Sequence, residues 1–81
     1  MEIEVLLFAS LADALGQPSL RTPVTAHTTA AALLAELALA YPQLAASLRH
    51  TRVARDARFL EADEFVLPAR ELALIPPVSG G

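Results

Sequence analysis

Leu72-Ala73-Leu74-Ile75-Pro76-Pro77-Val78-Ser79-Gly80-Gly81 reads as a strand, a stiff spacer and a slim tail. The strand is expected over Glu71 to Ile75, with Leu72 and Leu74 on one face and Ala73 and Ile75 on the other, because side chains alternate. Pro76 lacks a backbone donor and ends any ladder there. Pro76 and Pro77 fix φ and stiffen the departing chain. Gly80 and Gly81 have no Cβ, so their backbone fits a narrow passage. Six extended residues span about 20 Å. The expected working group is the carboxylate at the end of this segment.

The N-terminal stretch answers it. Ile3, Val5 and Leu7 alternate with Glu2, Glu4, Leu6 and Phe8, which predicts a strand over Met1 to Ala9. The first and last strands are the most apolar and are therefore expected as central neighbours. Ser10 to Leu15 is expected as a short helix, with Ser10 as N-cap and Gly16 as its stop. Ser19 to Thr25 reads as a weaker strand, which Pro23 marks as an edge or an irregular stretch. Thr28 or Thr29 caps the clearest helix, Ala30 to Ala40, with Leu33, Leu34, Leu37 and Tyr41 on one side. Pro42 ends that helix and opens a shorter one through Leu48. Between Arg49 and Leu67 the reading divides. Arg49, Arg52, Arg55 and Arg58 recur every three residues, which fits a drifting helical face or a strand near Arg52 to Arg55 followed by loops. Phe65-Val66-Leu67 is a brief apolar segment before Pro68. The order of elements suits an α+β domain over residues 1–75, a mixed sheet on one main helix, with residues 76–81 as a flexible functional tail.

Composition narrows the function. The chain has 81 residues, 54% of them hydrophobic, with a net charge of −3 and no cysteine. That excludes disulfides, thiolate catalysis and cysteine metal sites. The acidic balance argues against nucleic acid as a partner. All six cations are arginines, so no lysine is present; a GC-rich genome accounts for this as well as any selection. The start lacks a basic n-region, and no apolar run reaches spanning length, so no membrane is expected and the location is cytoplasmic by default. The apolar richness fits either a dense Ala/Leu core or surface kept for a partner.

Other chemistry-bearing residues have plainer readings. His27 and His50 are too few for a metal site, and no metal is expected. Glu61, Asp63 and Glu64 fit a solvated loop better than an acidic site. The arginines from 49 to 58 lack the interleaved aromatics of a nucleic-acid surface. Thr28 and Thr29 suit a helix cap, and Ser79 a tail spacer. By strand alternation, Leu6, Phe8, Ala73 and Ile75 face away from the main helix, forming a candidate docking patch beside the tail exit.

Val5-Leu6-Leu7-Phe8-Ala9, Leu15-Gly16, the Thr29-capped helix and, above all, Leu72 to Gly81 carry a resemblance. The chain resembles the sulfur-carrier branch of the ubiquitin-like β-grasp proteins, nearest the small-subunit family of molybdopterin synthase. It departs from that family's Gly-Asp-Glu turn, where Ala69-Arg70-Glu71 stands, and from its Val-Asn pair, where Ala54-Arg55 stands. The resemblance implies that Gly81 is adenylated and converted to a thiocarboxylate. Pro76, Pro77, Val78, Ser79 and Gly80 would then insert into a partner. It implies three partners: an E1-like enzyme using ATP and Mg²⁺, a sulfur-donating enzyme, and a large synthase subunit in a heterotetramer. There the sulfur would pass to a cyclic pyranopterin. The chain itself would bind no cofactor. A carrier or modifier for tRNA thiolation, thiazole or cysteine synthesis, and a plain interaction domain, remain as alternatives.

Overall fold

In the computed structural model, which describes residues 1–77, five strands form one mixed sheet. Of the expected tail, residues 76–81, Pro76 and Pro77 are described, while Val78, Ser79, Gly80 and Gly81 lie outside the described residues. The strands are β1 (Glu2–Leu7), β2 (Ser19–Pro23), β3 (Arg52–Arg55), β4 (Arg58–Phe59) and β5 (Leu72–Ile75), and the helices are α1 (Ala9–Leu15), α2 (Ala30–Ala40) and α3 (Ala45–Leu48). The spatial order is β2-β1-β5-β3-β4. β5 runs parallel to β1, with Val5, Leu6 and Leu7 opposite Leu72, Ala73 and Leu74. It runs antiparallel to β3, with Val53 opposite Leu74. The two most apolar strands are thus neighbours.

The register explains the core. Val5, Leu7, Leu72, Leu74 and Val53 share one face, and each is buried to within 4%. Leu33 and Leu37 of α2 are fully buried against that cluster, while Leu34 and Tyr41 pack at its margin. A full Leu side chain removed from water contributes roughly 1.5–3 kcal/mol, so this face holds the domain together. Pro42 opens a 3₁₀ turn, Pro42–Leu44, that runs into α3. Leu44 and Leu48 close the core from that side.

Helix α2 has an unusual start. Thr29 Oγ1 accepts from the Ala32 N–H at 3.1 Å, as a Ser/Thr cap does. The Ala30 and Ala31 N–H groups donate to the carbonyls of Glu64 and Ala62. The Leu33 N–H donates to the Thr29 carbonyl. Three of the N–H groups that a helix start leaves over, those of Ala30, Ala31 and Ala32, are therefore satisfied ahead of the first regular helix bond at Leu33, two of them by a segment about thirty residues away in sequence. Glu64 fastens that segment. Its carboxylate accepts from the Glu61 N–H at 2.7 Å and from Arg58 at 3.0 Å. The two bonds hold its carboxyl below the usual 4.5, the backbone bond first and the Arg58 bond second. The acidic cluster seen in the sequence is thus an anchored loop.

Three local expectations change, and the divided reading of the arginine repeat resolves to its strand alternative. Helix α1 starts at Ala9, not Ser10, and Phe8 takes the N-cap position without a side-chain bond. Phe8 is still extended, at ψ 154°, so β1 turns directly into the helix and leaves Ser10 inside its first turn. Gly16 ends the helix at φ 76°, its N–H donating to the Ala12 carbonyl. The second strand ends at Pro23 rather than Thr25 and lies at the sheet edge, where its only strand partner among the described residues is β1. The last strand begins at Leu72, because the Glu71 N–H is taken by the Asp56 carboxylate. The arginine repeat is not helical. Arg52 and Arg55 lie in β3 and Arg58 in β4, joined by the two-residue turn Asp56-Ala57. Both turn residues have positive φ, 50° and 69°, the geometry whose twist suits a tight hairpin.

Candidate functional site

The parallel pairing of β1 and β5 puts Phe8 and the Ile75-Pro76-Pro77 exit at the same end of the sheet. Two open grooves flank the exit. One, of about 480 Å³, is lined by Phe8, Ala9, Ser10, Asp13, Ile75, Pro76 and Pro77. The other, of about 250 Å³, is lined by His50, Arg52, Phe59, Ile75, Pro76 and Pro77. Ile75 is half-buried, Pro76 is buried and Pro77 is exposed. The chain therefore leaves the body along a ridge between two shallow apolar walls.

The sheet face turned away from α2 continues these walls. Opposed residues run across four strands, from Leu6 to Ala73, Ala54 and Phe59. Ala73 and Ala54 are 6% and 9% exposed, whereas Phe8 and Phe59 stand 46% and 47% exposed. The result is a trough with an alanine floor and aromatic sides. Ala73 lies on the face that strand alternation expects and forms the floor, since a methyl group does not rise past Leu6 and Ile75. Arg52, opposite Ile75, lays its guanidinium 4.5 Å from the centre of the Phe59 ring. Such a stack covers the ring face and leaves the charge facing outward.

Charge is unevenly placed around the exit. Asp13 lies on the α1 side, and His50 and Arg52 on the β3 side. Elsewhere Arg21 pairs with Glu2 at 3.6 Å and Arg58 with Glu64 at 3.0 Å, both on the surface. His27 packs edge-on to Phe65 at 5.8 Å, far along the chain from His50. Among the described residues no group of three His, Asp or Glu side chains is placed to hold a metal. No single helix among them is long and apolar enough to cross a membrane. Sequence reasoning found Leu6, Phe8 and Ile75 but missed Ala54, Phe59 and Arg52. Their signal was hidden, because only the Asp56-Ala57 turn folds residue 59 back beside residue 54.

The ThiS family model matches residues 5–81. The chain belongs to this family of ubiquitin-like sulfur carriers. The molybdopterin synthase sulfur carrier subunit of Arabidopsis thaliana is 35% identical over 81 residues, covering all of this chain and 84% of that one. The crystal structure of SAMP1 from Haloferax volcanii superposes with a TM-score of 0.77 at 33% identity, covering both chains completely. The complex of subunits 1 and 2 of the molybdopterin-converting factor from Helicobacter pylori also covers both chains completely. Its TM-score is 0.66 at 20% identity, a likeness of fold alone. The α+β architecture is the ubiquitin-like β-grasp.

Proposed function

We propose that this protein is the sulfur-carrier subunit of a molybdopterin synthase and that the Gly81 carboxylate is its reacting group. The observation that carries this reading is the family match through residue 81, joined to a whole-chain relative named as that subunit. The chemistry needs two activations. A carboxylate oxygen attacks the α-phosphorus of ATP, and pyrophosphate leaves. A sulfur nucleophile then attacks the acyl carbon, and AMP leaves with the bonding electrons. The product is a thiocarboxylate, which donates sulfur to a cyclic pyranopterin precursor. An E1-like enzyme with ATP and Mg²⁺ performs the first step and a sulfur-donating enzyme supplies the second. The body contributes positioning, in the cytoplasm alongside these partners. The Leu6–Phe59 trough docks on the large synthase subunit, named by analogy with the two-subunit Helicobacter pylori complex, and Pro76 to Gly80 carry Gly81 inside.

The test is intact mass after incubation with the activating enzyme, ATP and a sulfur source. The chain should gain the mass of one oxygen-to-sulfur exchange. Deleting Gly81, or adding one residue after it, should abolish that gain while the circular dichroism spectrum stays unchanged. Loading of an untrimmed, extended chain would refute the role of Gly81. A second reading, a protein modifier or a carrier for another sulfur pathway, draws on the SAMP1 likeness. Amide-linked conjugates of this chain on other proteins, isolated from its own cells, would favour it.

A further inference from the structure

We propose that the carrier is built to be inert toward its own activated tail, so that acyl transfer is confined to nucleophiles held by other molecules. This rests on the reading that the Gly81 carboxyl is activated. An acyl adenylate or thioester is open to any amine. Nitrogen attacks the carbonyl carbon, a C–N bond forms, and AMP or the thiol leaves with the bonding electrons while the amine loses its proton. A carrier with surface lysines would meet this side reaction on itself and on every other copy.

Here the acceptors are missing or distant. The 81 residues contain no lysine and no cysteine. The six cations, Arg21, Arg49, Arg52, Arg55, Arg58 and Arg70, carry guanidinium groups that stay protonated and do not attack carbonyl carbon. Met1, an exposed residue, brings one further aliphatic amine. It donates to the Val24 carbonyl at 3.2 Å, while the Val24 N–H donates back to the Met1 carbonyl at 2.8 Å. Topology adds distance. Leu7 lies level with Leu74, and Met1 is six residues back along β1, about 20 Å at the usual rise. The tail leaves from the opposite end of this parallel pair. Its six residues reach about 20 Å at full extension, so Gly81 meets the Met1 amine only by running straight back along the whole sheet. The consequence is a carrier that stays single while it waits for its acceptor. If it modifies other proteins, it adds one unit at a time and forms no lysine-linked chains.

The experiment uses the full chain prepared as a C-terminal thioester by intein thiolysis, which needs no activating enzyme. A failure of enzymatic adenylation would therefore count against the proposed function and leave this test intact. Wild type and R52K thioesters are incubated at about 10 µM and followed by intact mass and peptide mapping. Position 52 pairs with Ile75 and lines the groove holding Pro76 and Pro77, so the variant puts an amine at the exit. A tethered group of this kind has an effective concentration on the order of 1 mM, which makes its self-coupling roughly a hundredfold faster than coupling between copies. Hydroxylamine added to the same wild-type sample should consume the thioester, showing that the acyl group is live. The expected result is hydrolysis alone in the wild type and an internal amide, or an amide-linked dimer, in R52K. Wild-type coupling through the Met1 amine at the R52K rate would overturn the proposal. So would an R52K chain that couples no faster than the wild type, since amine absence would then protect nothing.

Discussion

Replacing Asp56 with alanine removes one carboxylate that holds the entry to the central strand. Its Oδ1 accepts from the Arg70 and Glu71 N–H groups at 2.9 and 2.8 Å, and its own N–H donates to the Glu71 carbonyl at 2.9 Å. A hydrogen bond to a charged acceptor contributes about 1.5–3 kcal/mol. Asp56 is exposed, so about 1 kcal/mol per bond is the appropriate figure after solvent screening. Alanine also suits the left-handed backbone at φ 50° less well than aspartate, at a cost of about 1 kcal/mol. The sum is about 2–3 kcal/mol. In a domain of this length each kcal/mol moves the melting temperature by roughly 4–8 °C, so Asp56→Ala should melt about 10–20 °C lower. Asp56→Asn keeps an acceptor oxygen and tolerates the same backbone, and should lose less than about 1 kcal/mol. Thermal and urea unfolding followed by circular dichroism give the stabilities, and hydrogen exchange at the Arg70 and Glu71 amides reports the clamp directly. An Asp56→Ala protein within about 0.5 kcal/mol of wild type, the ordinary range for an uninvolved surface change, would refute the reasoning. Unchanged protection of the two amides would do the same.

Two further outcomes follow from the site and its supports. If the proposed docking is right, Ile75→Asp puts a charge on the exit ridge and should weaken binding to a large synthase subunit by more than about 1 kcal/mol, measured by calorimetry, with a smaller loss in melting temperature. A large stability loss with unchanged affinity would make Ile75 a core residue. Glu64 should make stability pH-dependent. Its folded carboxyl titrates below the ordinary 4.5, so its contribution is complete above that value and disappears as pH falls through the folded value. The melting-temperature gap between wild type and Glu64→Gln should therefore shrink between pH 6 and the acid limit of folding, and a gap constant with pH would contradict the bonds assigned to Glu64.

What the sequence revealed and what it hid divide along one physical line. Strand alternation in Glu2–Leu7 and Leu72–Ile75, the Thr29 cap and the Pro42 break are local, and each was readable from its own residues. The adjacency of the first and last strands followed from their apolar content, the highest among the strands. The stretch from Arg49 to Leu67 resisted because its hairpin turns at Asp56-Ala57, without the Asn-Gly or Asp-Gly pair that usually marks positive φ. The arginine spacing then imitated a helical period. The same blind spot hid half of the trough. Leu6, Phe8 and Ile75 were visible by alternation, but Phe59, Ala54 and Arg52 join them only through a turn the sequence does not advertise. The cap supplied by Ala62 and Glu64 to the start of α2 was beyond reach for a similar reason, being a long-range bond between backbone groups.

The position of β5 has a mechanical meaning. A partner that draws in the tail pulls on Ile75 along the strand axis. β5 is bonded on both sides, to β1 and to β3, so the pull loads two ladders in shear. Shear shares the force among all the bonds at once, whereas peeling an edge strand would break them one at a time. A partner of the kind proposed would thus load the domain at the central strand of its sheet. A strand at the edge of this sheet, such as β2 or β4, would give the tail a weaker mooring.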